Sequence, residues 1–196
     1  MKDPERTRTT LLKAAFKEVH HKGFKAASLC DILACTDLTK GALYHHFPNK
    51  NALGLALLDA IEKRIAERWA EPLQVCSDPL ACLMEITRDT VESLTSDEVE
   101  MGCPLNNLAQ EMSSIEESFR TKVSSIYMMW RESIAQAIAV GQVKGLVSNC
   151  VNPHNVAIFY ISAISGCRGL AKNARSAEIL QSCLEGIETY LQALRA

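Results

Sequence analysis

Positions 39 to 50 read Thr39-Lys40-Gly41-Ala42-Leu43-Tyr44-His45-His46-Phe47-Pro48-Asn49-Lys50. On a helix turning 100° per residue, Leu43 and Phe47 share one side. Gly41 and His45 fall opposite them, Ala42 and Tyr44 flank that outer side, and Lys40 stands at its edge. An apolar anchor beneath a sparsely filled polar side is what a helix needs to enter the major groove of duplex DNA. Gly41 and Ala42 remove bulk, so backbone can come close to base edges and phosphates. Ala42 suits a thymine methyl, and Lys40 and His45 can donate to base acceptors. Thr39 lies at the helix N-terminus, where free N–H groups favour a phosphate. Tyr44 and Lys50 flank the helix and would clamp the sugar-phosphate backbone, which sets register rather than sequence.

The preceding residues hold this helix in place. Ser28-Leu29-Cys30-Asp31 is a capping box that opens a short helix with Leu29, Ile32 and Leu33 facing inward. Cys35-Thr36-Asp37-Leu38 breaks that helix, and Thr39 caps the next, to about residue 47. Two short helices joined by a tight turn have the outline of a helix-turn-helix. A helical hairpin with a merely solvated face would carry the same residue types. A first helix, 4–22, starts on Pro4, repeats Leu12, Ala15, Phe16 and Val19 at helical spacing and stops at Gly23.

Beyond residue 50 the periodicity stays helical. It predicts a connecting helix over 51–71 ended by Pro72, then helices over 79–94, 104–112, 115–141, 153–171 and 176–194. The run Ser96-Asp97-Glu98-Val99-Glu100 reads as an acidic loop. The expected fold is all-α, with about nine helices. A three-helix DNA-binding domain covers 1–50, and a helical body covers 51–196.

Composition narrows the function. The 196 residues are 47% apolar and 22% charged, too apolar for disorder, and no run approaches the ~18–20 apolar residues of a membrane span. The polar start lacks an apolar signal core, so a cytoplasmic protein with no membrane partner is expected. The net charge of −2 divides unevenly: residues 1–50 hold nine Lys and Arg against five Asp and Glu, and residues 51–196 hold twelve against eighteen. A basic head for a polyanion fits this, although chance differences of a few charges are common. The eight cysteines include no C-x-x-C pair and mostly occupy apolar helical stretches, so packed free thiols are expected rather than a disulfide framework. The pairs His20-His21 and His45-His46 diverge by about 100° on a helix, which makes poor metal pairs. No metal site and no cofactor are expected. The nucleophile-elbow, zinc-protease and Walker motifs of enzymes are missing from the sequence.

Residues 39–53, from Thr39-Lys40-Gly41 to Asn51-Ala52-Leu53, closely resemble the helix-turn-helix signature of the TetR family of transcriptional regulators. The resemblance covers about 5–60. The stretch Gly102-Cys103-Pro104-Leu105-Asn106-Asn107-Leu108-Ala109-Gln110-Glu111 looks like the ligand domain of one subgroup, some of whose members respond to reactive or drug-like compounds. The resemblance implies a homodimeric repressor on a palindromic operator, released by a small molecule bound in the body. By position, Thr39, Lys40, Gly41, Tyr44, His45 and Lys50 match the DNA-contacting pattern, and Ser28 matches a backbone contact. The turn departs from the family in carrying Asp37 where a glycine is usual.

In such a regulator the connecting helix would act as the lever. Met84, Thr87, Met101, Cys103, Asn107, Gln110, Tyr127, Trp130 and Phe159 would supply the ligand pocket's soft walls and polar anchors, although each also suits an ordinary core. Cys103, at a helix start, reads either as a packed thiol or as an electrophile sensor. The last two helices would form the dimer interface: Ala163, Gly166 and Gly169 clear space beside Ile161, Ile164 and Leu170, and Leu180, Leu184, Ile187 and Leu191 form an apolar stripe. A transcriptional activator, or an adaptor without DNA binding, is the competing reading.

Overall fold

The computed structural model describes residues 3–196, and α-helices account for nearly all of its regular structure. Among the described residues, one isolated antiparallel bridge, Val147 to Arg195, interrupts that pattern. The helices are α1 (Pro4–Lys22), α2 (Leu29–Ala34), α3 (Lys40–His46), α4 (Lys50–Ile65), α5 (Glu71–Val75), α6 (Pro79–Glu92), α7 (Ser96–Met101), α8 (Pro104–Met112), α9 (Glu117–Val143), α10 (Pro153–Ala174) and α11 (Ala177–Gln192). Local capping explains most starts. Asp3, Asp78 and Asn152 each accept a backbone N–H of the following first turn and each precede a proline, whose missing N–H costs nothing there. Among the described residues, no helix is long and apolar enough to cross a membrane.

The chain divides into two compact units. One takes residues up to Glu62 together with Pro104–Ser124, and the other takes Lys63–Cys103 together with Ser125–Ala196. In the first, Leu11, Ala15 and Val19 of α1 are buried with Ile32, Leu43 and Phe47, and with Leu53, Leu57 and Leu58 of α4. The buried line of α1 therefore runs through Leu11, with Leu12 and Phe16 half-buried beside it. The second unit buries Trp69, Leu83, Trp130, Ile134, Tyr160, Leu184 and Leu191. Trp69 packs against Trp130 (ring centroids 5.3 Å apart) and, edge-on, against Tyr160 (5.8 Å). These contacts make Trp130 part of the core.

Three expectations need correction. The acidic run 96–100 is a helix, α7, because Thr95 and Glu98 form a capping box in which the Thr95 hydroxyl accepts from Glu98 N and the Glu98 carboxylate accepts from Thr95 N. Pro72 does not end the connecting helix. A π-helical turn, Ala66–Ala70, precedes it, with Glu71 N donating to Ala66 O, and the rod continues through α5 to Val75. The widened turn relieves the clash a proline ring makes with the carbonyl four residues back. The turn at Asp37, where the family usually has glycine, needs no left-handed residue, since among the described residues Arg175 is the one non-glycine with positive φ. The turn is held instead by Thr36, whose hydroxyl donates to Leu33 O and accepts from Leu38 N.

The third correction concerns the cysteines. Cys167 and Cys183 form a disulfide between α10 and α11, their Cα atoms 6.0 Å apart, while Cys30, Cys35 and Cys150 are exposed and Cys103 is buried. Pairing depends on how two helices meet, which the spacing of cysteines along a chain does not reveal. A bridge closing a loop of this size stabilises by about 3 kcal/mol in the chain-entropy view. Replacing both cysteines with serine is expected to lower the unfolding free energy by that amount in a urea titration. An unchanged midpoint would mean that the pair carries no bond.

Candidate nucleic-acid interface

The head is built from the inside out. Leu43 is fully buried and Phe47 is 3% exposed, so α3 is pinned by the face predicted to anchor it. Lys40, Gly41, Tyr44 and His45 are exposed, with Ala42 half-buried beside them. A Cβ added to Gly41 would meet a single atom within 4 Å, the Thr39 hydroxyl at 3.8 Å, so the space over this helix is open. Thr39 caps α3 by accepting from Ala42 N at 3.2 Å, which leaves its own hydroxyl proton available to an outside acceptor. The Lys40 ammonium stands 5.8 Å from the centre of the Tyr44 ring, and both groups point outward.

Ser28 and Lys50 have local duties. Ser28 is exposed but serves as the N-cap of α2, accepting from Asp31 N while Asp31 accepts from Ser28 N. Lys50 does not join the open face in this state. Its ammonium donates to Lys25 O at 3.1 Å and lies 4.9 Å from the centre of the Phe24 ring. Burial lowers its pKa from the ordinary lysine value, and the nearby Glu111 carboxylate opposes the shift.

Glu111 of α8 is the residue that sequence reasoning missed. One of its oxygens accepts from Phe24 N and the other from Lys25 N, each at 2.7 Å, so a carboxylate 86 to 87 positions away holds the turn that follows α1. Below this turn Phe24 packs on Phe119 (centroids 4.7 Å apart). Gly54 of α4 makes room for the pair, since a Cβ there would come within 2.5 Å of both rings. A lone glycine inside a helical pattern is a sequence signal for such a close approach.

The proposed pocket residues scatter. Thr87 is buried and lines a cavity in the second unit with Trp69, Ile164 and Leu184. Its hydroxyl bonds Leu83 O and the Tyr160 hydroxyl. Asn107 lines a different small cavity, in the first unit, beside His20 and Leu57. Met84 accepts from Gln192, Tyr127 and Met101 are half-buried, and Gln110 is exposed. Phe159 is 54% exposed and packs on Tyr190. The α11 stripe of Leu180, Leu184, Ile187 and Leu191 is buried within the chain itself, as are Ile161 and Ile164 of α10, so none of these six offers a free face.

A small helix-turn-helix head together with a larger helical body defines a class of DNA-binding regulators. Residues 11–57 match the family of bacterial regulatory proteins, tetR family, and residues 79–187 match the tetracyclin repressor-like C-terminal domain. The transcriptional regulator AcuR of Cereibacter sphaeroides is 30% identical over 149 residues, covering 76% of this chain and 68% of that protein. The HTH-type transcriptional repressor DhaR of a Mycobacterium species is 26% identical over 164 residues, 83% of this chain and 81% of its own. A TetR transcriptional regulator from Chloroflexus aurantiacus superposes with a TM-score of 0.86 at 26% identity, covering 100% of this chain and 98% of that one. The chain belongs to the TetR family of transcriptional regulators.

Proposed function

We propose that this protein is a transcriptional repressor that binds a palindromic operator as a homodimer and leaves it when a small molecule occupies the body. The observation that carries this reading is the outer face of α3, where Gly41 and His45 are exposed while Leu43 and Phe47 are sealed beneath. In functional terms, residues 1–50 read DNA, and residues 51–196 bind ligand and dimerise. The rod from α4 through the π-turn to α5 serves as the lever. The relative DhaR is a transcriptional repressor, which favours repression.

The dimer surface proposed is the exposed face of α10, where Ile158 (50% exposed), Phe159 and Leu170 (61%) alternate with Ser162, Gly166 and Gly169. A Cβ at either glycine, or at Gly186 of α11, would meet nothing within 4 Å, so a second helix can approach closely. Helix pairs of this kind join across a two-fold axis into four-helix bundles.

Selection of binding sites from random duplex DNA tests the reading. The expected product is a palindrome with half-site centres about 34–36 Å apart, or a multiple of that, bound by two protomers. Lys40→Ala and Tyr44→Ala are each expected to weaken binding about tenfold, and only the lysine change should flatten the salt dependence, because tyrosine carries no charge to neutralise a phosphate. Enrichment of no duplex, or a monomer by sedimentation, would refute it.

A further inference from the structure

We infer that the cavity beside Arg168 takes a small monocarboxylate, its carboxylate on the guanidinium and its apolar body between α6, α10 and α11. This deepens the ligand-release reading above and rests on it.

The walls are Trp69, Thr90, Ile164, Leu184 and Ile187, closed by the Cys167–Cys183 bridge, and Arg168 brings the one cation among the lining residues. One Arg168 Nη donates to Gly102 O at 2.7 Å. Its Nε is shielded from solvent and has no acceptor. A buried donor left unpaired is costly, more so when it carries charge.

The surrounding charges leave the site short of an anion. Burial disfavours the guanidinium's charge, Arg64 and Arg68 add repulsion, and Glu98 and Cys103 are the groups that oppose it. Glu98 is already committed: one oxygen accepts from Thr95 N and Oγ, and the other faces Arg64 at 3.9 Å. An unpaired Nε–H amid apolar walls suits a carboxylate. A phosphate, with its higher charge and more acceptors, would need further donors.

The cavity is nearly shut, at about 20 Å³, room for little more than a water molecule. A larger ligand must therefore part the walls and will favour the opened state over this one. Such differential affinity is what an effector needs in order to shift a conformational equilibrium.

The two tryptophans of the chain report directly on this place: Trp69 lines the cavity and Trp130 packs against Trp69 at a tilt. The test titrates the full chain, without DNA, with hexanoate and phenylacetate and with their uncharged isosteres hexanamide and phenylacetamide, following tryptophan fluorescence. The acids are expected to saturate below about 1 mM and the amides at least about tenfold higher. Arg168→Gln should erase that gap. Arg68→Gln, at an exposed position, should narrow it two- to threefold, by about that factor of long-range attraction.

Equal binding of acid and amide, or no saturation by either, overturns the inference in the wild-type chain alone, whether or not Arg168→Gln folds. So does inorganic phosphate binding as tightly as the acids, or a gap that survives Arg168→Gln. A chain that prefers the acids yet binds no selected duplex sinks the repressor reading and leaves this site standing. A chain that binds duplex without acid preference does the reverse.

Discussion

Gly41→Ala is expected to make the protein more stable and a worse DNA binder at once. Gly41 sits in the first turn of α3 with ordinary helical geometry, and a Cβ there meets only the Thr39 hydroxyl, at ordinary contact distance. Alanine is favoured over glycine in a helix by roughly 0.5–1 kcal/mol, so the urea midpoint should rise. If α3 enters the groove as proposed, the added methyl stands where base edges and phosphates must come close. Affinity for a selected duplex should fall about tenfold for Gly41→Ala and about a hundredfold or more for Gly41→Leu, about 1.4 and 2.7 kcal/mol. Fluorescence anisotropy and urea unfolding on the same preparations separate the two effects. A merely solvated face would gain the stability and lose no affinity.

Removal of Glu111 should have the largest effect on the head's stability. Its carboxylate takes two backbone N–H groups, Phe24 N and Lys25 N, immediately after the Gly23 stop of α1. Hydrogen bonds to a charged acceptor contribute about 1.5–3 kcal/mol each, so Glu111→Ala is expected to cost about 2–4 kcal/mol once the exposure of the Lys25 bond is allowed for. Glu111→Gln should recover less than half of this, because an amide offers one acceptor oxygen and turns an N–H₂ toward the second donor. Thermal unfolding checks the cost. If Glu111→Ala melts like the parent, the Phe24–Lys25 turn is held by the packing of Phe24 on Phe119 and not by the carboxylate.

What was legible in the sequence follows from the range of the interactions involved. Caps are local: Ser28 with Asp31, Thr39, Asp78 before Pro79 and Asn152 before Pro153 each announce a helix start that the fold contains. The outer face of α3 was legible because Leu43 and Phe47 fix its rotation through a 3.6-residue period. The Thr95–Glu98 box carried the same kind of signal for α7, but the density of acidic residues concealed it. Pro72 obeyed its local rule only until the π-turn gave its ring space.

Interactions between distant residues were not legible. Glu111 reaches back 87 positions to Phe24, the Cys167–Cys183 bridge requires α10 and α11 to meet, and Lys50 turns to Lys25 O because Phe24 offers its ring there. The apolar stripe of α11 had the right period but the wrong destination. Periodicity reports that a face is buried and is silent on whether the chain or a partner buries it.

Photo-crosslinking from α3 reads directly whether this helix meets the duplex. With p-benzoylphenylalanine at Tyr44, illumination of the protein on its selected duplex is predicted to join it to DNA within a half-site. The same group at Val143, 90% exposed at the end of α9, should yield none. Crosslinks from position 143 but not from position 44, on a duplex that is demonstrably bound, would show that α3 is not the helix that meets DNA.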